Sequence, residues 1–134
     1  MNWLHVLYAF VASAIIASFT DWYFFGVLFH ERYLKTPGAW KKYRNKSDEI
    51  TSISISELIM SVSSFVFIVA CGHLGLISPT AALLAAVTIW IMIPLPLLAV
   101  NAVFMNIDRM IVVSHSLGWL TRLVITALCV AWLL

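Results

Sequence analysis

An arginine stands inside an otherwise apolar run. Residues 110–134 are long enough to cross the hydrocarbon of a bilayer, yet they carry His115 and Arg122. At 3.6 residues per turn, a separation of seven places these two side chains one above the other on a single helix face. A guanidinium at membrane depth is tolerated only where it meets protein, water or an opposite charge. The remainder of the chain must therefore cover this face, and it must bring an anion to it.

Three further apolar runs precede it, so the spans read as about 4–29, 50–71, 80–105 and 110–133. Of the 134 residues, 63% are hydrophobic and 10% charged. Soluble domains carry roughly a quarter charged residues, so lipid is the main solvent for this chain. The expected fold is all-α: a polytopic, four-helix transmembrane bundle forming one domain over 1–134, with no room for a second. The first run has no basic flank and is longer than a signal-peptide core, so it reads as a retained helix.

Charge distribution sets the expected orientation. Arg32, Lys35, Lys41, Lys42, Arg44 and Lys46 fall in the loop 30–48, leaving only Arg109 and Arg122 elsewhere. The positive-inside rule puts that loop in the cytoplasm, and an even number of spans then puts both termini outside. The implied location is a membrane bordering the cytoplasm, crossed several times. Pro37-Gly38 marks a turn, after which Trp40 and Tyr43 alternate with Lys41, Lys42 and Arg44. That mixture suits a membrane surface rich in anionic lipid headgroups, and beside two membrane spans it does not indicate nucleic acid.

Each span contributes a polar or small-residue pattern. In the first, His5, Ala9, Ser13, Ala17 and Asp21 recur every four residues, a stripe suited to close helix approach within one protomer or between copies. In the second, Ser54, Glu57, Ser61 and Ser64 share a face. The third contains Pro94 and Pro96, which should kink it, and Asn101 lies seven residues beyond Pro94 on the same face. Cys71 and Cys129 sit in apolar runs and read as small buried side chains rather than a disulfide.

Asp21, Glu57, Asn101, His115 and Arg122 thus form the candidate substrate- or ion-binding set. Counted from the cytoplasmic span ends at 1.5 Å per residue, Glu57, Asn101 and His115 lie roughly 8 Å deep, Asp21 about 12 Å and Arg122 about 19 Å. One account is purely structural: Asp21 pairs with Arg122, Glu57 bonds to His115 or nearby serines, and Asn101 bridges helices. The alternatives are a proton or ion pathway, a metal site from Asp21, Glu57 and His115, or catalysis with His115 as general base. Metal-binding spacings such as HxxxH are missing, as are a nucleophile elbow, a CxxC and a phosphate-binding glycine loop. The reading therefore favours a non-enzyme and names no cofactor.

The segment Asp21-Trp22-Tyr23-Phe24-Phe25-Gly26-Val27-Leu28-Phe29, with Trp40 beyond it and Gly118-Trp119-Leu120 leading to Trp132, resembles a widespread bacterial family of short four-helix membrane proteins of unknown function. In that family a Trp-Tyr pair closes the first span and is soon followed by Leu-Phe. Here Leu28-Phe29 comes one residue late, and Phe24-Phe25 replaces the usual Ser-Pro. The resemblance implies four spans in a bacterial cytoplasmic (inner) membrane and no assigned activity. The functional expectation is transport or permeation of an ion, proton or small polar solute, in a homo-oligomer because four helices enclose little interior. The alternative is a non-catalytic accessory or lipid-binding subunit with a membrane-protein partner.

Overall fold

The computed structural model of the chain describes residues 1–36, 43–105 and 107–134. Helix α1 (Trp3–Tyr23) starts at Asn2, whose side chain accepts the Leu4 N–H, and runs on into a π-helical turn, Phe24–Leu28. A short helix α2 (His30–Lys35) follows. Helix α3 (Lys46–Leu74) is capped by Asn45, which accepts the Asp48 N–H. Asp48 and Glu49 in its first turn face the positive end of the helix dipole, and the helix ends at Gly75, left-handed at φ 69°.

Helix α4 (Pro79–Met92) begins at a Ser78 cap with proline in the first turn, where a missing N–H costs nothing. Helix α5 (Pro94–Phe104) continues the same span after a break at Ile93. Pro94 and Pro96 have no N–H to offer the carbonyls four residues back. Hydrogen bonds cross the break through Ile93, whose N–H reaches the Ile89 carbonyl and whose carbonyl accepts from Leu97. Helix α6 (Arg109–Leu133) is capped by Asp108 on the Met110 N–H.

Four rods, α1 with its π turn, α3, α4–α5 and α6, are each long and apolar enough to cross a membrane. The described residues contain no strand. The first and third rods are shifted by one residue from the expected spans, whereas α3 starts at Lys46, four residues before the apolar run, and α2 occupies part of the basic loop. The alternating polar pattern at 51–56 lies inside α3.

Helix α6 is the hub. Its most apolar stretch is 44% buried, against 11% for the α4–α5 span. Large side chains such as Phe19, Leu58, Leu84 and Val103 are exposed, as helices that face lipid require. At one end of the bundle the interior is apolar, with Val6 and Ala9 of α1, Ile68 and Cys71 of α3, Ala82 and Ala86 of α4, and Ala127 and Val130 of α6. Alanines at these contacts bring the backbones close, and in lipid that packing replaces the hydrophobic drive. Toward the middle of α6 the interior becomes polar, because Arg122, Thr126, Ser114 and Ser116 are all buried there.

Candidate functional site

The site grows from the periodicity of α6. Ser114, Gly118, Arg122 and Thr126 recur every four residues, and all four are buried. Helix α1 packs on this face through Ala9, Ser13 and Ala17, each fully buried, and the same stripe delivers Asp21 beside Arg122. Helix α3 brings Glu57 from the other side, one step along a face that continues through the buried Ser61, Ser64, Ile68 and Cys71.

One nitrogen of the arginine holds both acids. Nη2 of Arg122 donates to Oδ2 of Asp21, and also to Oε2 of Glu57 at 2.7 Å. The Ser18 hydroxyl, one turn before Asp21, donates to the same Glu57 oxygen at 2.9 Å. Beneath them the Thr126 hydroxyl lies 2.8 Å from the Arg122 carbonyl and 3.1 Å from the Ser64 hydroxyl, tying α6 to α3. The two acids differ in access: the Asp21 side chain is 2% exposed and the Glu57 side chain 26%. Oδ1 of Asp21 and the Nε and Nη1 atoms of Arg122 are buried without a hydrogen-bond partner among the described residues. Two carboxylates against one guanidinium leave one negative charge in excess when all three are ionised.

His115 lies apart from this centre. Its ring packs against Phe25 at 4.9 Å and Tyr33 at 5.8 Å between centroids. Tyr33 donates to the Ser114 hydroxyl at 3.0 Å, docking α2 on the first turns of α6. Burial pushes the Tyr33 phenol above its ordinary value of 10, a rise that the Ser114 bond opposes, so it acts here as a neutral donor. Phe25 projects from the π turn to Gly118, where a β-carbon would stand 3.1 Å from its Cζ and 3.7 Å from Oδ1 of Asp21. The glycine leaves the space in which the Phe25 ring and Asp21 both approach α6.

Several expectations need correction. Of its two expected partners Glu57 bonds to a nearby serine, Ser18, and not to His115, and it also accepts from Arg122. Because α3 begins at Lys46, Glu57 is eleven residues along it, about 16 Å, whereas Arg122 is thirteen residues, about 20 Å, and His115 six, about 9 Å, along α6. Glu57 is therefore level with the arginine. The proposed metal set Asp21, Glu57 and His115 is not assembled, and no group of three such ligands occurs among the described residues. Asn101 is half-buried in α5 and makes no side-chain hydrogen bond to a described residue, so it is not part of the centre.

The small-residue stripe is spent inside the protomer, which removes it as a seam between copies. It drifts to Val6 at its start, leaving His5 exposed. On α3, Ser54 is likewise exposed. Of the residues expected at the membrane surface, Tyr43 is half-buried and Arg44 exposed, while Trp40, Lys41 and Lys42 lie outside the described residues, as do Pro37 and Gly38 of the expected turn. Sequence reasoning passed over Ser18 and Thr126, although each stands one helical turn from a member of the centre. It also passed over Phe25, and Trp90, whose indole donates to the Ser116 carbonyl at 2.9 Å; no pattern in the chain marks either.

A four-helix membrane bundle built around a buried arginine that two carboxylates share is the class that this fold and centre define. The chain belongs to the family described as protein of unknown function (DUF1761), which matches residues 8–131. No curated protein and no solved structure matches it.

Proposed function

We propose that this protein carries an ion, a proton or a small polar solute through a bacterial cytoplasmic membrane, using the Asp21–Arg122–Glu57 centre as its intramembrane site. The observation that supports this reading most is the partial exposure of Glu57. A mere clasp between helices would be expected to seal both acids, yet one carboxylate at mid-helix depth keeps a route out of the protein. The excess negative charge adds to it, since an uncompensated charge in a low-dielectric interior is costly and invites a positive species.

The accompanying arrangement places the basic loop against anionic headgroups in the cytoplasm, with both termini outside. A homo-oligomer supplies the wider interior that a solute path needs. The test is flux into proteoliposomes by wild type and by Glu57→Gln, with a folded control. Loss of flux in the variant is expected. Flux equal to that of empty liposomes for wild type, or unchanged in Glu57→Gln, leaves the centre as a structural clasp of an accessory subunit.

A further inference from the structure

The way Arg122 is bonded is incomplete, and its incompleteness has a pattern. A guanidinium ordinarily meets a carboxylate with two parallel N–H···O bonds. Here a single nitrogen serves both acids, while Nε and Nη1 of the same group are buried and unused, and Oδ1 of Asp21 is buried and unused beside them. Buried orphans of this kind are uncommon, because each forgoes a hydrogen bond it had in water. Unused donors on the cation and an unused acceptor on its nearer acid are the parts of a forked pair that has not closed. Glu57 and Asp21 draw on the same nitrogen, Nη2, from two sides.

We propose that Glu57 is the proton-binding residue of this centre, and that its protonation hands Arg122 over to Asp21 as a forked pair. This deepens the transport reading, and rests on it, by naming the proton as the species taken up. The groups facing Glu57 are few. Among the described residues, helix α1 presents Asp21 and Ser18, helix α6 presents Arg122, and no imidazole is bonded to it. With Glu57 ionised, the centre carries one excess negative charge and a bridging arginine. One proton added to the Glu57 carboxylate cancels that excess and weakens the second claim on Nη2, because a neutral carboxyl is a poorer acceptor than a carboxylate. The guanidinium can then turn two N–H groups onto the two oxygens of Asp21, using its idle nitrogen and satisfying Oδ1. Ser18 remains beside Glu57 as a partner in either state, as acceptor from the acid or donor to the carboxylate. The proton enters at Glu57 rather than Asp21 because only Glu57 is open, at 26% against 2% side-chain exposure.

The test uses dicyclohexylcarbodiimide, an apolar reagent that modifies protonated carboxyls reachable from the membrane. Full-length protein in liposomes is treated between about pH 5 and pH 9, and the modified residue is located by peptide mass spectrometry. The expected result is modification at Glu57 that rises as pH falls, is absent in Glu57→Gln, and leaves Asp21 unmodified. Excess sodium at constant pH should leave the modification unchanged. No modification of Glu57 at any pH, modification independent of pH, preferential modification of Asp21, or protection by sodium each overturns the proposal. Its failure is separable from that of the transport reading. Glu57-dependent flux with no pH-dependent modification sinks the proton assignment alone, and pH-dependent modification without flux sinks only transport.

Discussion

Removing the arginine should do more damage than removing either acid, and a second substitution should repair part of it. Arg122 and Asp21 are 1% and 2% exposed at their side chains, so neither charge has water to fall back on. At an effective dielectric near 20, unit charges about 4 Å apart attract by about 4 kcal/mol. Arg122→Gln loses two such contacts and leaves two carboxylates facing each other. Breaking a buried pair by deleting one partner typically costs about 3–5 kcal/mol, which is roughly two to nearly four powers of ten in the folded-to-unfolded ratio. Asp21→Asn should cost less, about 1–2 kcal/mol, because Arg122 keeps Glu57 and the excess negative charge is gone. The double variant Asp21→Asn/Arg122→Gln should then be more stable than Arg122→Gln alone, since the buried unpaired carboxylate has been removed. Denaturant titration in detergent, followed through the six tryptophans, measures all four proteins. An Arg122→Gln protein within about 1 kcal/mol of wild type, or a double variant no better than that single, would refute the electrostatic coupling.

Other outcomes follow from the surroundings of the centre. At Gly118, alanine gains about 1 kcal/mol of helix propensity against a contact of 3.1 Å with Phe25, so Gly118→Ala should be near neutral. The larger Gly118→Val must displace the ring and should cost about 1–3 kcal/mol in the same titration, and a stable valine variant would contradict the close packing. Tyr33→Phe deletes the bond to Ser114 and should cost about 1 kcal/mol. Because the folded-state value of Tyr33 lies above the ordinary 10, its contribution is intact below pH 10 and is lost as pH rises through the folded value. Alkaline absorbance titration should accordingly show one late-ionising tyrosine that Tyr33→Phe removes. Single cysteines at Arg44 and Leu76, introduced while Cys71 and Cys129 stay buried, should react with impermeant thiol reagents from opposite faces of the membrane. Labelling of both from one face would contradict the four-span orientation.

The amount of this legible in the chain differs from residue to residue. Asp21 was readable because it ends a strict four-residue repeat, and Arg122 because a buried guanidinium admits few solutions other than an acid within reach. Glu57 was readable as a member with a nearby serine as one expected partner, but its bond to Arg122 was not. Its level depends on where α3 starts, and a cap at Asn45 set that start outside the apolar run. His115 shares the helix of Arg122 and was grouped with it, yet the π turn carries Phe25 across and pairs the imidazole with aromatic rings instead.

By itself the sequence determined the solvent of the fold, the four apolar rods, and the need for an anion beside Arg122, because hydropathy and helical period are properties of neighbours along the chain. Only the tertiary structure decided that one nitrogen serves two acids, that Asp21 is sealed while Glu57 is partly open, and that the stripe on α1 packs within the protomer. Those outcomes depend on the axial offsets of separate helices, and a shift of one residue, about 1.5 Å, is enough to change which groups meet.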